Sequence, residues 1–346
     1  MKIEKGAAAL IISEENRRYY TGLYTDNGYY LVTEEKRFFI TDSRYIEDAE
    51  NTVKNAQVIL QTHPFMQILS ILQQMKINRL YIEASRMTVA QLAVLRSYMQ
   101  GIEICEDSYA DELITADRDI KTQNEISLIT KAQRIAEKSL AGIVGMIKPG
   151  VTERQIRNAL DHAMFELGAD ALSFDTIAIT GENTSKPHGV PSDTKVKSGD
   201  LVTLDFGAVC GGYHSDMTRT FAVGSVSESM KEVYDTVLKA QNAGIAAVKA
   251  GVTGADADRA ARQVIADAGY GKCFSHSLGH GVGIEIHETP NLSPSYEKKL
   301  KAGNVVTVEP GIYIEKKFGV RIEDMVVVTE NGCEDLTKYP KELTVL

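Results

Sequence analysis

Residues 201–223 read LVTLDFGAVCGGYHSDMTRTFAV, and this stretch decides the fold of the second half of the chain. Two segments with strand-like alternation flank the pair Gly211-Gly212, which predicts a β-hairpin. Asp205 lies in the middle of the first strand, and Asp216 lies at the start of the second. A carboxylate that is buried without a partner is unfavourable by several kcal/mol. The hairpin therefore predicts a cation beside these two residues.

A second hairpin of the same kind is predicted near the end of the chain. It comprises NVVTVEPGIYIE at residues 304–315 and GVRIEDMVVVT at residues 319–329. Side chains two apart on a strand share a face, so Glu309 lies with Thr307, and Glu323 lies with Arg321. Taken alone, Arg321 fits an ion-pair partner of a nearby carboxylate, and Asp324 fits a structural role. The two hairpins resemble each other, which indicates an internal repeat with two carboxylates on each inner surface.

A glycine-rich stretch before the second hairpin contributes histidines: HSLGHGVGIEIHETP, residues 276–290. Four carboxylates facing one cavity repel each other unless cations are bound. Oxygen ligands with a single imidazole suit hard or borderline divalent metals such as Mn²⁺. We expect His280 to supply the imidazole and His276 to be structural. His188, in SKPHGVPSD, fits a loop histidine as well as a site residue.

The composition is that of an ordinary folded chain of 346 residues, with 43% apolar and 25% charged residues. The formal net charge is -9, and no basic stripe appears, which argues against a nucleic-acid partner. The apolar residues 6–12 are too few for a membrane span and predict the first strand. Four cysteines without C-x-x-C spacing argue against a disulfide framework or a thiolate zinc site, and they fit a reducing cytoplasm: Cys105, Cys210, Cys273 and Cys333.

The first 117 residues alternate strand and helix patterns, which predicts a small α/β domain. The predicted strands are AAALIIS, YYLVT, RFFIT, RLYIEA and IEICED, and the predicted helices are HPFMQILSILQQMK and MTVAQLAVLRSYMQ. The polar stretch at residues 116–125 predicts a domain boundary. We expect an N-terminal domain at residues 1–117 and a second domain at residues 118–346, since the length suits two domains.

The second domain begins with helical patterns. Residues 126–140 are amphipathic, and Pro149 is expected to end that helix. Thr152 and Gln155 form a capping box that predicts the start of the next helix. Two further helical stretches separate the hairpins, at residues 230–251 and 254–269.

Five segments resemble the pita-bread metallopeptidases, in particular the Xaa-Pro aminopeptidases and Xaa-Pro dipeptidases (prolidases). They are PHGVPS, GDLVTLDFGAVCGGYHSDMTRTF, HSLGHGVGIEIHETP, VVTVEPGIYI and GVRIEDMVVVT, in the family's order. YYTGLYTDNGYYLVT and TDSRY resemble the amino-terminal domain of the same enzymes, which methionine aminopeptidases generally lack. The resemblance implies an α+β fold, with a C-terminal pita-bread (creatinase/aminopeptidase-like) catalytic domain after a smaller α/β creatinase-like domain.

The resemblance also implies a site for two divalent metal ions. Asp205 would chelate one metal, and Asp216 and Glu323 would bridge both. His280 and Glu309 would complete the shell of the other. Mn²⁺ is the expected metal, and the ligand types also permit Co²⁺, Zn²⁺ or Fe²⁺.

The implied reaction is hydrolysis of the bond between an N-terminal residue and proline by a hydroxide that bridges the metals. Glu309 is expected to carry a proton from the water to the leaving proline nitrogen. His188 and His287 are expected to hydrogen-bond the scissile carbonyl or the substrate backbone. Arg321 is expected to anchor the shell by pairing with a ligand carboxylate.

One departure from the family concerns substrate length. Prolidases of this type often carry an arginine just after the HExP stretch to hold the carboxylate of a dipeptide, whereas this chain has Asn291. We therefore favour an aminopeptidase that accepts longer peptides over a strict dipeptidase. The resemblance further implies a homodimer in the cytoplasm that acts on peptides with proline at the second position and has no membrane partner.

Three alternatives stay open from the sequence. They are a non-catalytic peptide-binding member of the same fold, an amidinohydrolase, and an aminopeptidase of different specificity. The intact set of five ligands argues against the first two, since such members have lost ligands.

Overall fold

The computed structural model describes residues 1–346, and their contacts separate two units, Met1–Arg118 and Asp119–Leu346. The boundary predicted from the sequence lies one residue earlier, after residue 117. The strands of the first unit are β1 (Ala7–Ile11), β2 (Tyr29–Thr33), β3 (Arg37–Thr41), β4 (Gln57–Leu60), β5 (Arg79–Ile82) and β6 (Glu103–Cys105). Its helices are α1 (Glu14–Thr21), α2 (Ile46–Thr52), α3 (Pro64–Gln74), α4 (Val89–Tyr98) and α5 (Tyr109–Asp119).

One mixed sheet, in the order β4-β3-β2-β1-β5-β6, forms the centre of the first unit. Both of its faces are covered, which explains why β1 reads as a continuous apolar run. Ala7, Ala9 and Ile11 pack in a cluster with residues of α2 and α5. Ala8 and Leu10 pack in another cluster with residues of α3 and α4. The unit is therefore a three-layer α/β domain.

The five strands and two helices predicted for this unit are present, whereas α1, α2, α5 and β4 are not indicated by the sequence patterns. The polar stretch at residues 116–125 overlaps the end of α5, which continues to Asp119. Ala110 and Ile114 bury one face of that helix, and this burial stabilises it in spite of its polar end.

The second unit begins with α6 (Gln123–Ile143) and α7 (Glu153–Glu166). These are followed by β7 (Ala171–Leu172), β8 (Ile177–Thr180), β9 (Leu201–Phe206), β10 (Ala208–Cys210), β11 (Tyr213–His214) and β12 (Met217–Ala222). Two more helices are α8 (Glu228–Ala247) and α9 (Gly254–Asp267). The remaining strands are β13 (Gly279–Gly281), β14 (Glu288–Leu292), β15 (Val305–Val308), β16 (Gly311–Ile314), β17 (Phe318–Arg321), β18 (Asp324–Val328) and β19 (Cys333–Asp335).

Each half of the second unit consists of two helices on an antiparallel sheet, in agreement with the predicted repeat. In the first half, α6 and α7 share a core with the sheet β12-β9-β8. In the second half, α8 and α9 share a core with the sheet β14-β13-β15-β18-β19. Val202, Leu204 and Phe206 of β9 belong to the first core, so the opposite face of that strand is free for Asp205.

The capping box of Thr152 and Gln155 is confirmed at the start of α7. The predicted end of α6 at Pro149 is wrong, because the helix ends at Ile143 and a short 3-10 turn, Val144–Met146, follows. A proline limits how far a helix can extend, but it does not require the helix to reach it.

Candidate metal centre

The two hairpins bring four carboxylates to one cavity. Asp205 lies in β9 opposite Thr218 of β12, and Asp216 immediately precedes β12. The backbone N–H of Glu323 donates to the carbonyl oxygen of Thr218 at 3.2 Å, which ties the second hairpin to the first. Glu309 directly follows β15. The grouping expected from strand alternation is therefore present.

His280 is the imidazole among these carboxylates. Its Nε2 lies 3.6 Å from Asp216 Oδ2 and 3.4 Å from Glu309 Oε1. Its Nδ1 donates to the carbonyl oxygen of Gly281 at 3.0 Å. Because a carbonyl can only accept, this hydrogen bond selects the tautomer whose Nε2 lone pair faces the carboxylates. One potential ligand atom from each of Asp216, His280 and Glu323 lies within 4.8 Å of the others.

Burial and repulsion between neighbours disfavour charge on Asp216, Glu309, Glu323 and His280. Burial is the main reason that the pKa of Asp216 is raised, and the charge of Glu323 is the next. The pKa of Glu323 is likewise raised mainly by burial and then by the charge of Glu309. Burial is also the main reason that the pKa of Glu309 rises to about 8. Burial lowers the pKa of His280 to about 4, so its imidazole is neutral at pH 7. A neutral imidazole is the form that binds metals.

Two buried carboxylate oxygens have no hydrogen-bond partner: Asp205 Oδ1 and Asp216 Oδ1. Buried polar atoms are nearly always paired, so these two call for a partner that the protein itself does not supply. A divalent cation would pair with both oxygens and offset the repulsion. The residues present therefore fit a metal centre.

Arg321 forms hydrogen bonds at one edge of the carboxylate cluster. Its Nη2 donates to Asp205 Oδ2 at 2.6 Å, and its Nε donates to the Thr218 hydroxyl at 3.1 Å. Its Nη1 donates to the Tyr313 hydroxyl at 2.8 Å, which in turn lies 2.9 Å from Nε2 of His276. The predicted ion pair of Arg321 with a carboxylate is therefore present. His276 contacts this chain of hydrogen bonds rather than the carboxylates.

Two threonines and one tyrosine belong to the site although none of them is among the eight residues predicted for it. The Thr218 hydroxyl donates to Glu323 Oε2 at 2.7 Å, and the Thr307 hydroxyl donates to Glu309 Oε1 at 3.1 Å. Each threonine is two residues from a carboxylate, so strand alternation places Thr307 on the face of Glu309 and Thr218 on that of Asp216. Tyr313 gave no such signal, because it reaches Arg321 from the neighbouring strand β16.

A cavity of about 620 Å³ opens beside the cluster. All eight residues predicted for the site line it: Asp205, Asp216, His280, Glu309, Glu323, His188, His287 and Arg321. The His287 ring packs against that of His280, with centroids 4.4 Å apart. Asn291 and an apolar set comprising Phe174, Ile177, Val190 and Pro191 also line the cavity. This volume suits a small organic ligand.

Asp324 lies outside the cavity and is fully paired. Its Oδ1 lies 2.7 Å from Arg219, and its Oδ2 lies 2.7 Å from Lys341. Gln241 donates to the same carboxylate at 2.7 Å. These contacts agree with the structural role that the sequence suggests.

The two-unit fold, together with a carboxylate cluster that has one neutral imidazole and two buried oxygens without a partner, is that of a metalloenzyme. The chain belongs to metallopeptidase family M24, whose model matches residues 127–330, and residues 1–120 match the creatinase/prolidase N-terminal domain. The expected family, fold class and hydrolase activity are thereby confirmed, and the catalytic unit has the pita-bread fold. Membership implies divalent metal ions as cofactor.

Similar proteins cover nearly the whole chain. An uncharacterized peptidase of Bacillus subtilis, YqhT, is 44% identical over 97% of this chain and 95% of its own length. The structure of an Xaa-Pro dipeptidase from Bacillus anthracis is 39% identical, with a TM-score of 0.95 over 98% of this chain and 95% of its own. The structure of an X-Pro aminopeptidase from Thermotoga maritima is 35% identical, with a TM-score of 0.92 over 98% of this chain and 97% of its own.

None of the helices in the structure combines the length and the apolar character that crossing a membrane requires.

Proposed function

We propose that this protein hydrolyses the peptide bond between an N-terminal residue and proline with two divalent metal ions as cofactor. The observation that carries the proposal is the pair of partnerless buried oxygens, on Asp205 and Asp216, at the wall of a cavity. Proteins similar over nearly their full length are an Xaa-Pro dipeptidase and an X-Pro aminopeptidase, and they support the choice of substrate.

Five residues would hold the two ions, for which we propose Mn²⁺: Asp205, Asp216, His280, Glu309 and Glu323. When bound, the metals would polarise the scissile carbonyl and acidify a water molecule. Four carboxylates and one neutral imidazole match the oxygen-rich donor set that suits Mn²⁺.

Glu309 is proposed to move the proton. Its Oε1 accepts the Thr307 hydroxyl, which leaves Oε2 to take a proton from the attacking water. As an ionised carboxylate, Glu309 can accept this proton and then return it. The water oxygen bonds to the acyl carbon while the proton passes to the proline nitrogen, so the bond breaks without leaving an unstable amide anion.

His188 and His287 are proposed to donate hydrogen bonds to the substrate. Both line the cavity, and burial lowers the pKa of His287, so its ring is neutral and retains one N–H. A donor aimed at the oxygen of the tetrahedral intermediate contributes about 2.7 to 4 kcal/mol in comparable sites. Arg321 would keep Asp205 in place, since it holds one oxygen and leaves the other free.

Proline at the second position fits the apolar part of the cavity. The Xaa-Pro bond has no N–H, so the site needs no acceptor there and can surround the ring with apolar side chains. Phe174, Ile177 and Val190 provide such a surface. Asn291, uncharged and on the cavity wall, does not offer a dipeptide's carboxylate the positive charge of the arginine that prolidases often carry here, and we therefore propose that longer peptides are accepted.

The test is product analysis by mass spectrometry with Mn²⁺-loaded protein on Ala-Pro, Ala-Pro-Ala and Ala-Ala-Ala. Release of alanine from Ala-Pro-Ala but not from Ala-Ala-Ala supports the proposal and its preference for longer peptides. Cleavage of Ala-Pro alone would make the protein a dipeptidase. If neither proline peptide is cleaved while metal is bound, Xaa-Pro hydrolysis is rejected.

We also propose a cytoplasmic homodimer in which residues 1–117 and 118–346 form separate domains. The resemblance to the family supports the dimer. Light scattering tests it directly, because a monomer mass would reject it.

A further inference from the structure

A buried ion pair outside the carboxylate cluster holds the hairpin that carries both His280 and His287. Lys121 Nζ lies 2.6 Å from Glu288 Oε1, and the two side chains are 1% and 8% exposed. Lys121 lies between α5 and α6, whereas Glu288 follows His287 directly and begins β14. The mechanism proposed above uses neither charge.

The segment that carries Lys121 is fixed to the second half of the catalytic unit at three further points. The backbone N–H of Lys121 donates to the carbonyl oxygen of Gly303 at 2.9 Å. The Asn304 side chain donates to the carbonyl oxygen of Asp119 at 2.7 Å, and the Thr289 hydroxyl donates to the Asp119 carboxylate. Lys121 is therefore a fixed point from which the hairpin is held.

The Glu288 carboxylate fills the space inside the turn of this hairpin. A Cβ atom at Gly283 would lie 2.2 Å from Glu288 Oε1, so only glycine leaves room for the carboxylate. The carbonyl oxygen of Gly283 accepts the backbone N–H of His214 at 2.9 Å, two residues before Asp216. Glu288 thus packs inside the turn, and β11, which precedes Asp216, hydrogen-bonds to its outer side.

We infer that Lys121 is a positioning residue, whose ion pair with Glu288 fixes the His287 ring edge-on to His280 at the cavity wall. The ring centroids lie 4.4 Å apart at 68°, and Glu288 is bonded to His287 along the chain. A buried carboxylate needs its cation, so loss of Lys121 disfavours the buried position of Glu288 inside the turn, although the backbone N–H of Glu285 also donates to it at 3.4 Å. A shift of Glu288 would move the neighbouring His287 as well. The catalytic part of this inference rests on the role proposed for His287.

The test compares the double variant Lys121→Met/Glu288→Gln, which removes both charges and avoids a lone buried one, with Lys121→Arg. Arg79→Met/Glu4→Gln is the control for removal of a charge pair, because Arg79 pairs with Glu4 at 2.6 Å within the first unit. Hydrogen–deuterium exchange of residues 281–292 and the separate values of kcat and KM on Ala-Pro-Ala are measured.

For the double variant we expect exchange in this segment to rise about tenfold and kcat to fall about tenfold, with KM within about twofold of the wild type. Lys121→Arg should keep most of both, and Arg79→Met/Glu4→Gln should change neither. Wild-type exchange in the double variant would overturn the inference. Faster exchange with an unchanged kcat would also overturn it, because the pair would then be structural only. Should the wild type cleave no Xaa-Pro peptide, the proposed function fails, and exchange alone decides whether the pair fixes the hairpin.

Discussion

Arg321 Nη2 donates to Asp205 Oδ2 at 2.6 Å, while the other oxygen of the same carboxylate is buried and has no partner. Asp216 Oδ1 is also buried without a hydrogen-bond partner. One arginine can thus offset only part of the negative charge that the four clustered carboxylates carry when they ionise. The site is short of positive charge, and this shortage determines how it responds to substitution, pH and metal.

Asp216→Asn should stabilise the metal-free protein, because it removes a buried carboxylate whose ionisation is disfavoured. We expect the free energy of unfolding at pH 7.5 to rise by about 1 to 3 kcal/mol, while metal-dependent activity falls more than about 100-fold. Asp324→Asn is the matched control, since that carboxylate is paired with Arg219 and Lys341. It should lose about 3 to 5 kcal/mol. Urea unfolding with a chelator measures both, and a change of the same sign in the two variants would contradict the electrostatic account.

Metal binding should release protons at pH 7, because Glu309 has a pKa raised from 4.5 to about 8. A raised folded-state pKa gives stability that is fully present below about 4.5 and is lost as the pH rises through about 8. The metal needs the ionised carboxylate, so it expels the proton. Calorimetric titration with Mn²⁺ at pH 7 in two buffers of different ionisation enthalpy counts the protons released.

Glu309→Gln should release about one proton fewer than the wild type in that titration. His280 should contribute none, since its pKa of about 4 leaves it neutral at pH 7. Equal proton release from the wild type and the variant would show that Glu309 is already ionised before metal binds.

Arg321→Lys should impair the site although it keeps the charge. The guanidinium bonds Asp205, Thr218 and Tyr313 at the same time, and a lysine ammonium cannot match that planar fork. We expect activity or metal affinity to fall about 10- to 100-fold. Arg154→Lys, in an exposed pair with Asp193, should change neither. Steady-state kinetics with metal titration tests both, and a fully active Arg321→Lys would remove the role assigned to the fork.

Gly207→Ala should destabilise the first hairpin. A Cβ atom at this position would lie 1.8 Å from the carbonyl oxygen of Ser215, so the strands beside Asp216 would have to separate. We expect a loss of about 1 to 3 kcal/mol. Gly142→Ala, in α6 with open space around it, should instead gain about 0.4 to 1 kcal/mol. Thermal unfolding of both variants checks the contrast, which fails if Gly207→Ala is neutral.

Strand periodicity predicted which side chains face the cavity, but it did not predict contacts between segments that are distant in the sequence. Alternation along single strands placed Asp205 and Glu309 on inner faces, because side-chain direction in a strand is a local property. The pairing of Lys121 with Glu288 had no such signal, because it joins segments that only the folded chain brings together. The helix α5 was missed for a related reason, since burial of Ala110 and Ile114 outweighs its polar composition.

The central claim, that the carboxylate cluster is a two-metal hydrolytic centre, is tested most directly by titrating metal-stripped protein with Mn²⁺. Bound metal is counted by elemental analysis, and Ala-Pro-Ala hydrolysis is followed in the same samples. We expect activity to rise with metal and to reach its maximum at two ions per chain, with Asp216→Asn unable to reach that state. Full hydrolysis by the metal-stripped protein, or bound metal that Asp216→Asn does not reduce, would contradict the account.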